Sequence, residues 1–126
     1  MTLDEARGCI DAVLKAHPKL SLDAHGLSRS DHSDADPVKR PIQPQEFAAA
    51  VEWLLGYDGL DRRKTINTCT SSYGWKHVAE RELDTYISNG AFICAALYLN
   101  YKMRRQDRSS PNAYFNLRKD NRHALR

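Results

Sequence analysis

From Ser88 to Tyr101 the chain carries no Arg, Lys, Gln, Asp or Glu. Phe92, Ile93, Ala95, Ala96, Leu97 and Leu99 leave few positions for a solvated helix face. A helix apolar nearly all round belongs inside a domain, with other elements packed against it. The small residues let a neighbouring helix approach closely. Ser88 or Asn89 is a good N-cap, and Asn100 reads as the helix end. If one side of this helix were left uncovered, the apolar surface would favour a homodimer.

The flanking segments suggest a second role for the same helix. Upstream, residues 72–83 form a helix with Trp75, Val78, Ala79 and Leu83 on one face and Lys76, Glu80 and Arg81 outside. Gly74 weakens its start. Downstream, Tyr101 to Arg105 reads as an outgoing strand, Ser109-Ser110-Pro111-Asn112 as a turn, and Tyr114, Phe115 and Leu117 as the returning strand. Helix, turn, helix and hairpin is the order of a winged helix-turn-helix. The expected fold is therefore mainly α with a small β-hairpin, a winged helix-turn-helix-like single domain. A length of 126 residues suits one domain and one core.

The rest of the chain divides into three stretches. Residues 1–17 hold an amphipathic helix over 3–16, with Leu3, Ala6, Ile10, Val13 and Leu14 on one face. Thr2 caps it, and His17-Pro18 ends it. Residues 18–41 are the weakly patterned part and are expected to be a mobile linker, its start tacked onto the domain by Leu20, Leu22 and Leu27. Residues 42–126 are expected to form the helical core, the hairpin and a basic tail. Within them a helix starts at Pro44 and buries Phe47, Val51, Leu54 and Leu55, with Trp53 at its edge and Gly56 at its stop. Arg62 to Thr68 reads as a basic, β-leaning connector.

Charge is unevenly spread. Residues 1–56 carry 6 basic and 9 acidic side chains, whereas 57–126 carry 13 basic and 7 acidic ones. A polyanion would therefore meet the C-terminal half. If the unit grips DNA, Asn89 at the start of the apolar helix would reach base edges, with Ser88 and Tyr98 beside it. Lys102, Arg104, Arg105, Arg108, Arg118 and Lys119 would hold phosphates, and Arg62, Arg63 and Lys64 form a secondary basic patch. Yet Asn89 is the sole residue suited to base reading on that helix, so its core role competes with its reading role. Tyr86, Tyr98, Tyr101, Tyr114 and Phe115 lie among basic residues, as in single-strand sites where bases stack. Tyrosines are also common in protein interfaces and on half-buried surfaces.

Other chemistries find little in the sequence. There is no phosphate-binding Gly loop, no nucleophile elbow and no carboxylate pair, and Cys69 and His77 stand without an orienting partner. No enzymatic activity and no cofactor are expected. Cys9, Cys69 and Cys94 are odd in number and widely spaced, which fits reduced thiols. His25, Asp31, His32, Asp34 and Asp36 lack the spacing of a metal site. No run has the length of a membrane helix and no secretory signal is visible, so a cytoplasmic protein without a membrane partner is expected.

Three stretches carry a family likeness: Ser71-Ser72-Tyr73-Gly74-Trp75-Lys76-His77, Tyr86-Ile87-Ser88-Asn89-Gly90-Ala91-Phe92-Ile93, and Pro111-Asn112-Ala113-Tyr114-Phe115-Asn116. Over about residues 64–117 the chain resembles small uncharacterised proteins of bacteria, phages and plasmids with a winged helix-turn-helix-like unit. The resemblance implies a mobile-element setting, where small proteins act as regulators or as inhibitors of host defence such as anti-CRISPR proteins. The first expectation is a non-enzymatic nucleic-acid-binding regulator acting on double-stranded DNA. The alternative is a protein-binding inhibitor or adaptor that occupies a partner's nucleic-acid site. Asp31, Asp34 and Asp36 would then mimic phosphates against a basic protein surface.

Overall fold

The computed structural model describes residues 1–28, 40–56 and 62–118. The chain enters through α1, Leu3–Ala16, which starts on a capping box. The Thr2 hydroxyl accepts from the Glu5 N–H at 3.0 Å, and the Thr2 N–H donates to the Glu5 carboxylate at 2.7 Å. Ala6, Ile10 and Val13 face the core. Leu3 does not: it is exposed at the helix start, one turn before the stripe meets a neighbour.

After a short 3-10 turn over Pro18–Leu20, the stretch up to Ser28 is ordered by the core. Leu22 and Leu27 are buried, and Asp23 and Gly26 form a β-bridge. Of the linker expected over 18–41, residues 18–28 are therefore part of the fold rather than mobile. Leu20, Leu22 and Leu27, the side chains expected to tack its start onto the domain, join the core or pack on it. Residues 29–39 lie outside the described residues.

Helix α2, Pro44–Leu55, buries Phe47, Ala50, Val51, Trp53 and Leu54. Leu55, expected inside, is exposed, and Trp53, expected at the edge, is buried. Phe47, Ala50, Val51 and Leu54 already complete an i, i+3, i+4, i+7 stripe, which leaves Leu55 outside it. Trp53 turns toward α3, Ser72–Leu83, and its ring lies 6.2 Å from Trp75 and 6.0 Å from Phe92. Its indole N–H donates to Glu82 at 2.8 Å, so the polar edge of the ring is satisfied.

Helix α4, Asn89–Tyr98, is the centre of the molecule. Every residue from Asn89 to Ala96 is buried. Helices α1, α2 and α3 all pack on it, and residues 23–26 close over its first turn. The Gly90 N–H donates to the Ala24 carbonyl at 2.9 Å. Full burial of side chains such as Phe92 and Ile93 contributes roughly 1.5–3 kcal/mol each. The uncovered side that would have favoured a homodimer is absent, because one chain covers it.

Three strands complete the fold: β1, Arg62–Asn67; β2, Met103–Arg105; and β3, Ala113–Leu117. They form an antiparallel sheet in the order β1-β3-β2. The expected hairpin is present, but the expected connector at 62–67 is a third strand on its far edge. Ala113, Phe115 and Leu117 alternate inward, and Phe115 meets Phe92 edge-on at 6.3 Å. The register slips between Arg62 and Asn67, and buried Asn67 ties the strands by donating to the Leu117 carbonyl at 2.9 Å. The fold is a small helical domain carrying a three-stranded sheet.

Two glycines test how tightly α4 is covered. A Cβ on Gly90 would fall 1.7 Å from the Asp23 carbonyl oxygen, whereas one on Gly8 meets nothing within 4 Å. Gly90→Ala is expected to lower stability by roughly 1–3 kcal/mol or more. Gly8→Ala, on an exposed helix position, is expected to raise it by about 0.5–1 kcal/mol. Urea denaturation of the two variants beside the parent checks both signs.

Candidate nucleic-acid interface

The start of α4 is a closed corner. The Ser88 hydroxyl accepts from the Ala91 N–H at 3.1 Å, and the Ser88 N–H donates to Glu46 at 3.0 Å. Asn89 is buried and fully engaged. Its side-chain oxygen accepts from the Ser72 hydroxyl at 2.8 Å. Its amide donates to the His25 carbonyl at 3.0 Å, the Pro111 carbonyl at 3.2 Å and the Asn112 side chain at 3.1 Å. Asn89 was expected to reach base edges, and the structure corrects this: it is the knot joining α3, α4, the 23–26 segment and the hairpin turn. Helix N-termini hold anions when their first N–H groups are open; here Gly90 and Ala91 already have partners. Tyr98 also belongs to the packing. It lies edge-on to Phe47 at 5.5 Å, and a hydrogen bond with Cys9 pushes its phenol above the ordinary value.

The basic residues split into two groups. Arg105, expected on phosphate, is half-buried and donates to the carbonyls of Ser28 at 2.6 Å, Ser110 at 3.3 Å and Asp107 at 3.4 Å. It clamps the hairpin loop against the N-terminal segment. Arg62 donates to the Leu99 carbonyl at 2.7 Å and stacks 3.8 Å above the Tyr101 ring, so it seals the end of α4. These two are corrected from phosphate contacts to structural cations, because the carbonyls of a helix end and of a loop already take their donors.

Lys102, Arg104, Arg63 and Lys64 are different. All four are exposed. Lys102 donates to the neutral Lys64 carbonyl at 3.2 Å, and Arg63 touches only the Thr65 hydroxyl at 3.4 Å. Among the described residues none of the four meets a carboxylate, so their charges are not neutralised. Arg108 and Arg118 are exposed at the hairpin loop and just past β3. Lys119, Asp31, Asp34 and Asp36 lie outside the described residues.

The sheet gathers the four open cations. Arg104 stands directly opposite Tyr114, on the face away from buried Ala113, Phe115 and Leu117. Asn116 follows on that same outer face. Its side-chain oxygen accepts from the Lys102 N–H at 2.7 Å, and its amide donates to the Arg63 carbonyl at 2.9 Å. One asparagine therefore locks both edge strands to the central one. Lys102 and Arg104 come from β2 and the residue before it, Arg63 and Lys64 from β1; Tyr114 stands beside Arg104, and the backbones of Lys102 and Arg63 meet the Asn116 side chain two residues further along β3. The sequence showed two separate basic runs; only the pairing of β1 with β3 makes them one patch.

A second feature escaped sequence reasoning. Lys76, expected outside α3, is buried. Its ammonium pairs with Glu80 at 3.3 Å and lies 5.1 Å from the Tyr73 ring and 4.9 Å from the Tyr86 ring. The rings themselves are exposed, 51% for Tyr73 and 63% for Tyr86. Glu80 also accepts from the Ile87 N–H at 3.0 Å and meets His77 at 2.9 Å. Burial pushes the Glu80 carboxyl up, but the Ile87 N–H, Lys76 and His77 together hold it below its usual value. A Lys four residues before a Glu gave a weak pairing signal; its burial under two tyrosines did not show.

Elsewhere the chemistry is sparse. Burial, with Cys9 nearby, pushes the Cys94 thiol up to about 12; Cys69 is exposed. Among the described residues no three His, Cys, Asp or Glu side chains gather as they would around a metal. Among the described residues no helix is long and apolar enough to cross a membrane. In comparisons with protein-family models, curated proteins and solved structures, nothing matches this chain.

Two outcomes are expected from these corners. Asn89→Ala strips partners from several buried groups and is expected to destabilise the fold by roughly 2–4 kcal/mol, read by thermal melting. The lowered Glu80 carboxyl stabilises the fold above the ordinary carboxylate range near pH 4 and loses that effect as pH falls through its folded value. Glu80→Gln should therefore be less stable than the parent at pH 7, with the gap closing in acid; equal stability at pH 7 would count against this assignment.

Proposed function

We propose that the protein is a non-enzymatic nucleic-acid-binding regulator that holds DNA through the phosphate backbone, in the mobile-element setting its resemblance implies. The observation that carries this reading is the set of four exposed cations, Arg63, Lys64, Lys102 and Arg104, on the two edges of one sheet, none of which meets a carboxylate among the described residues. Arg118, exposed just past β3, extends it. The order α2-β1-α3-α4-β2-β3, with β3 between β1 and β2, supports a winged helix-turn-helix-like unit. The closed start of α4 argues that such a unit works without inserting that helix into the major groove. Binding of this kind is strong at low salt, weak in sequence preference and steeply salt-dependent.

A second reading has its own observation. Tyr73 and Tyr86 present two exposed rings around one buried lysine, and such aromatic surface favours a protein partner. In that reading the protein is an inhibitor or adaptor occupying a partner's nucleic-acid site. Replacing Tyr73 and Tyr86 together by Ser would then remove co-purification of that partner while DNA retention stayed unchanged.

The backbone reading is tested with a mixed-sequence duplex at 50 and 200 mM salt, followed by fluorescence anisotropy. With four phosphate contacts the affinity should fall roughly thirty- to two-hundredfold across that range. Arg104→Glu combined with Arg63→Glu should abolish retention at 50 mM salt while leaving the melting temperature near the parent's. No retention of the parent at 50 mM salt would sink the reading.

A further inference from the structure

The outer sheet face has a feature that phosphate binding alone does not require. Tyr114 is on the central strand, partly exposed, and its side chain makes no hydrogen bond, ring contact or cation contact among the described residues. This sets it apart from the other tyrosines. Tyr101 is buried under Arg62, Tyr98 is tied to Cys9 and Phe47, and Tyr73 and Tyr86 flank Lys76. A buried or half-buried tyrosine on a sheet usually finds a partner for its hydroxyl or its ring. Here its cross-strand partner on β2 is the exposed cation Arg104 instead.

The ring is regularly paired on its β2 side. Neighbouring strands lie about 5 Å apart, so β2 stands one strand away from Tyr114, whereas the last pair of β1 is Asn67 with Phe115. Arg104 is its direct cross-strand partner. Lys102 and Arg63 are placed by the Asn116 side chain that ties both edges to β3. The platform is stiff for the same reason, since Asn116 is buried and both its polar atoms are used. A π-face with Arg104 at its side, and Lys102 and Arg63 further along β3, suits an unstacked base with its own phosphates alongside. A duplex offers the same phosphates but keeps its bases stacked inside, out of reach of a ring on a sheet. Major-groove entry is closed as well, because the start of α4 is sealed by Asn89 and residues 23–26.

We infer that the outer face of the β1-β3-β2 sheet is a site for single-stranded nucleic acid, with one base stacked on Tyr114 and the neighbouring phosphates held by Arg104, Lys102 and Arg63. This rests on the backbone-binding reading and specifies its ligand. The cations serve both forms of nucleic acid, and the ring distinguishes them.

The test uses the full chain with a fluorescein-labelled 20-nucleotide thymidine strand and a labelled 20-base-pair mixed duplex, both at 50 mM salt. Tyr114→Leu keeps an apolar strand residue and removes the ring; Tyr114→Phe keeps the ring. Tyr114→Leu should weaken single-strand binding roughly tenfold and leave duplex binding unchanged. Tyr114→Phe should match the parent on both, which separates stacking from a loss of fold. Equal affinity of parent and Tyr114→Leu for the thymidine strand would overturn the inference, even with duplex binding intact. Parallel loss on strand and duplex in a folded Tyr114→Leu variant would also overturn it. Retention of neither ligand by the parent would remove the backbone reading and this inference together.

Discussion

The structure depends on the need to cover α4 on every side. A helix with eight consecutive buried residues and no charged side chain has no face to offer water. Three helices supply most of the cover, Phe115 of the sheet meets Phe92 from the sheet side, and residues 23–26 lie across the first turn. Gly90 marks how close that last layer comes, since a single added carbon would overlap the Asp23 carbonyl. An N-terminal segment that reads as a linker is therefore part of the core.

Covering α4 decides what the domain can do. The polar residues at its start are consumed by the fold: Ser88 caps, Asn89 knots four segments, and Gly90 and Ala91 have partners for their N–H groups. A helix so enclosed does not read base edges. The far side of the sheet is more open. There the alternation of β3 leaves Tyr114 partly exposed beside Arg104, while Asn116, itself buried, ties both edge strands to β3.

The cations themselves divide by what they can reach. Arg62 and Arg105 find backbone carbonyls at a helix end and at a loop. A planar fork with five donors suits such places, so both arginines hold the fold. Lys76 goes further and is buried, with Glu80 and two tyrosine rings around its ammonium. Arg63, Lys64, Lys102 and Arg104 keep their charge open to solvent. Net positive charge in the C-terminal half is thus a poor measure of binding capacity until the structural cations are set aside.

Much of the architecture is legible in local pattern. The bounds of α1, with its capping box, and of α2, α3 and α4 follow from caps, helical period and proline positions, because these signals act within a few residues. The hairpin is legible for the same reason, from β-leaning runs around a Ser-Ser-Pro-Asn turn. The joining of β1 to β3, the burial of Lys76 and Trp53, and the exposure of Leu3 and Leu55 were not. Each of these depends on a neighbour far away in sequence. The candidate site shows the same division: the sequence determined that basic residues and tyrosines fall in the C-terminal half. Only tertiary packing decided that Asn89 and Arg105 serve the core, because buried donors and acceptors must be satisfied. It also decided that the run holding Arg63 and Lys64 shares one sheet with Lys102 and Arg104, because β3 pairs with both edge strands at once.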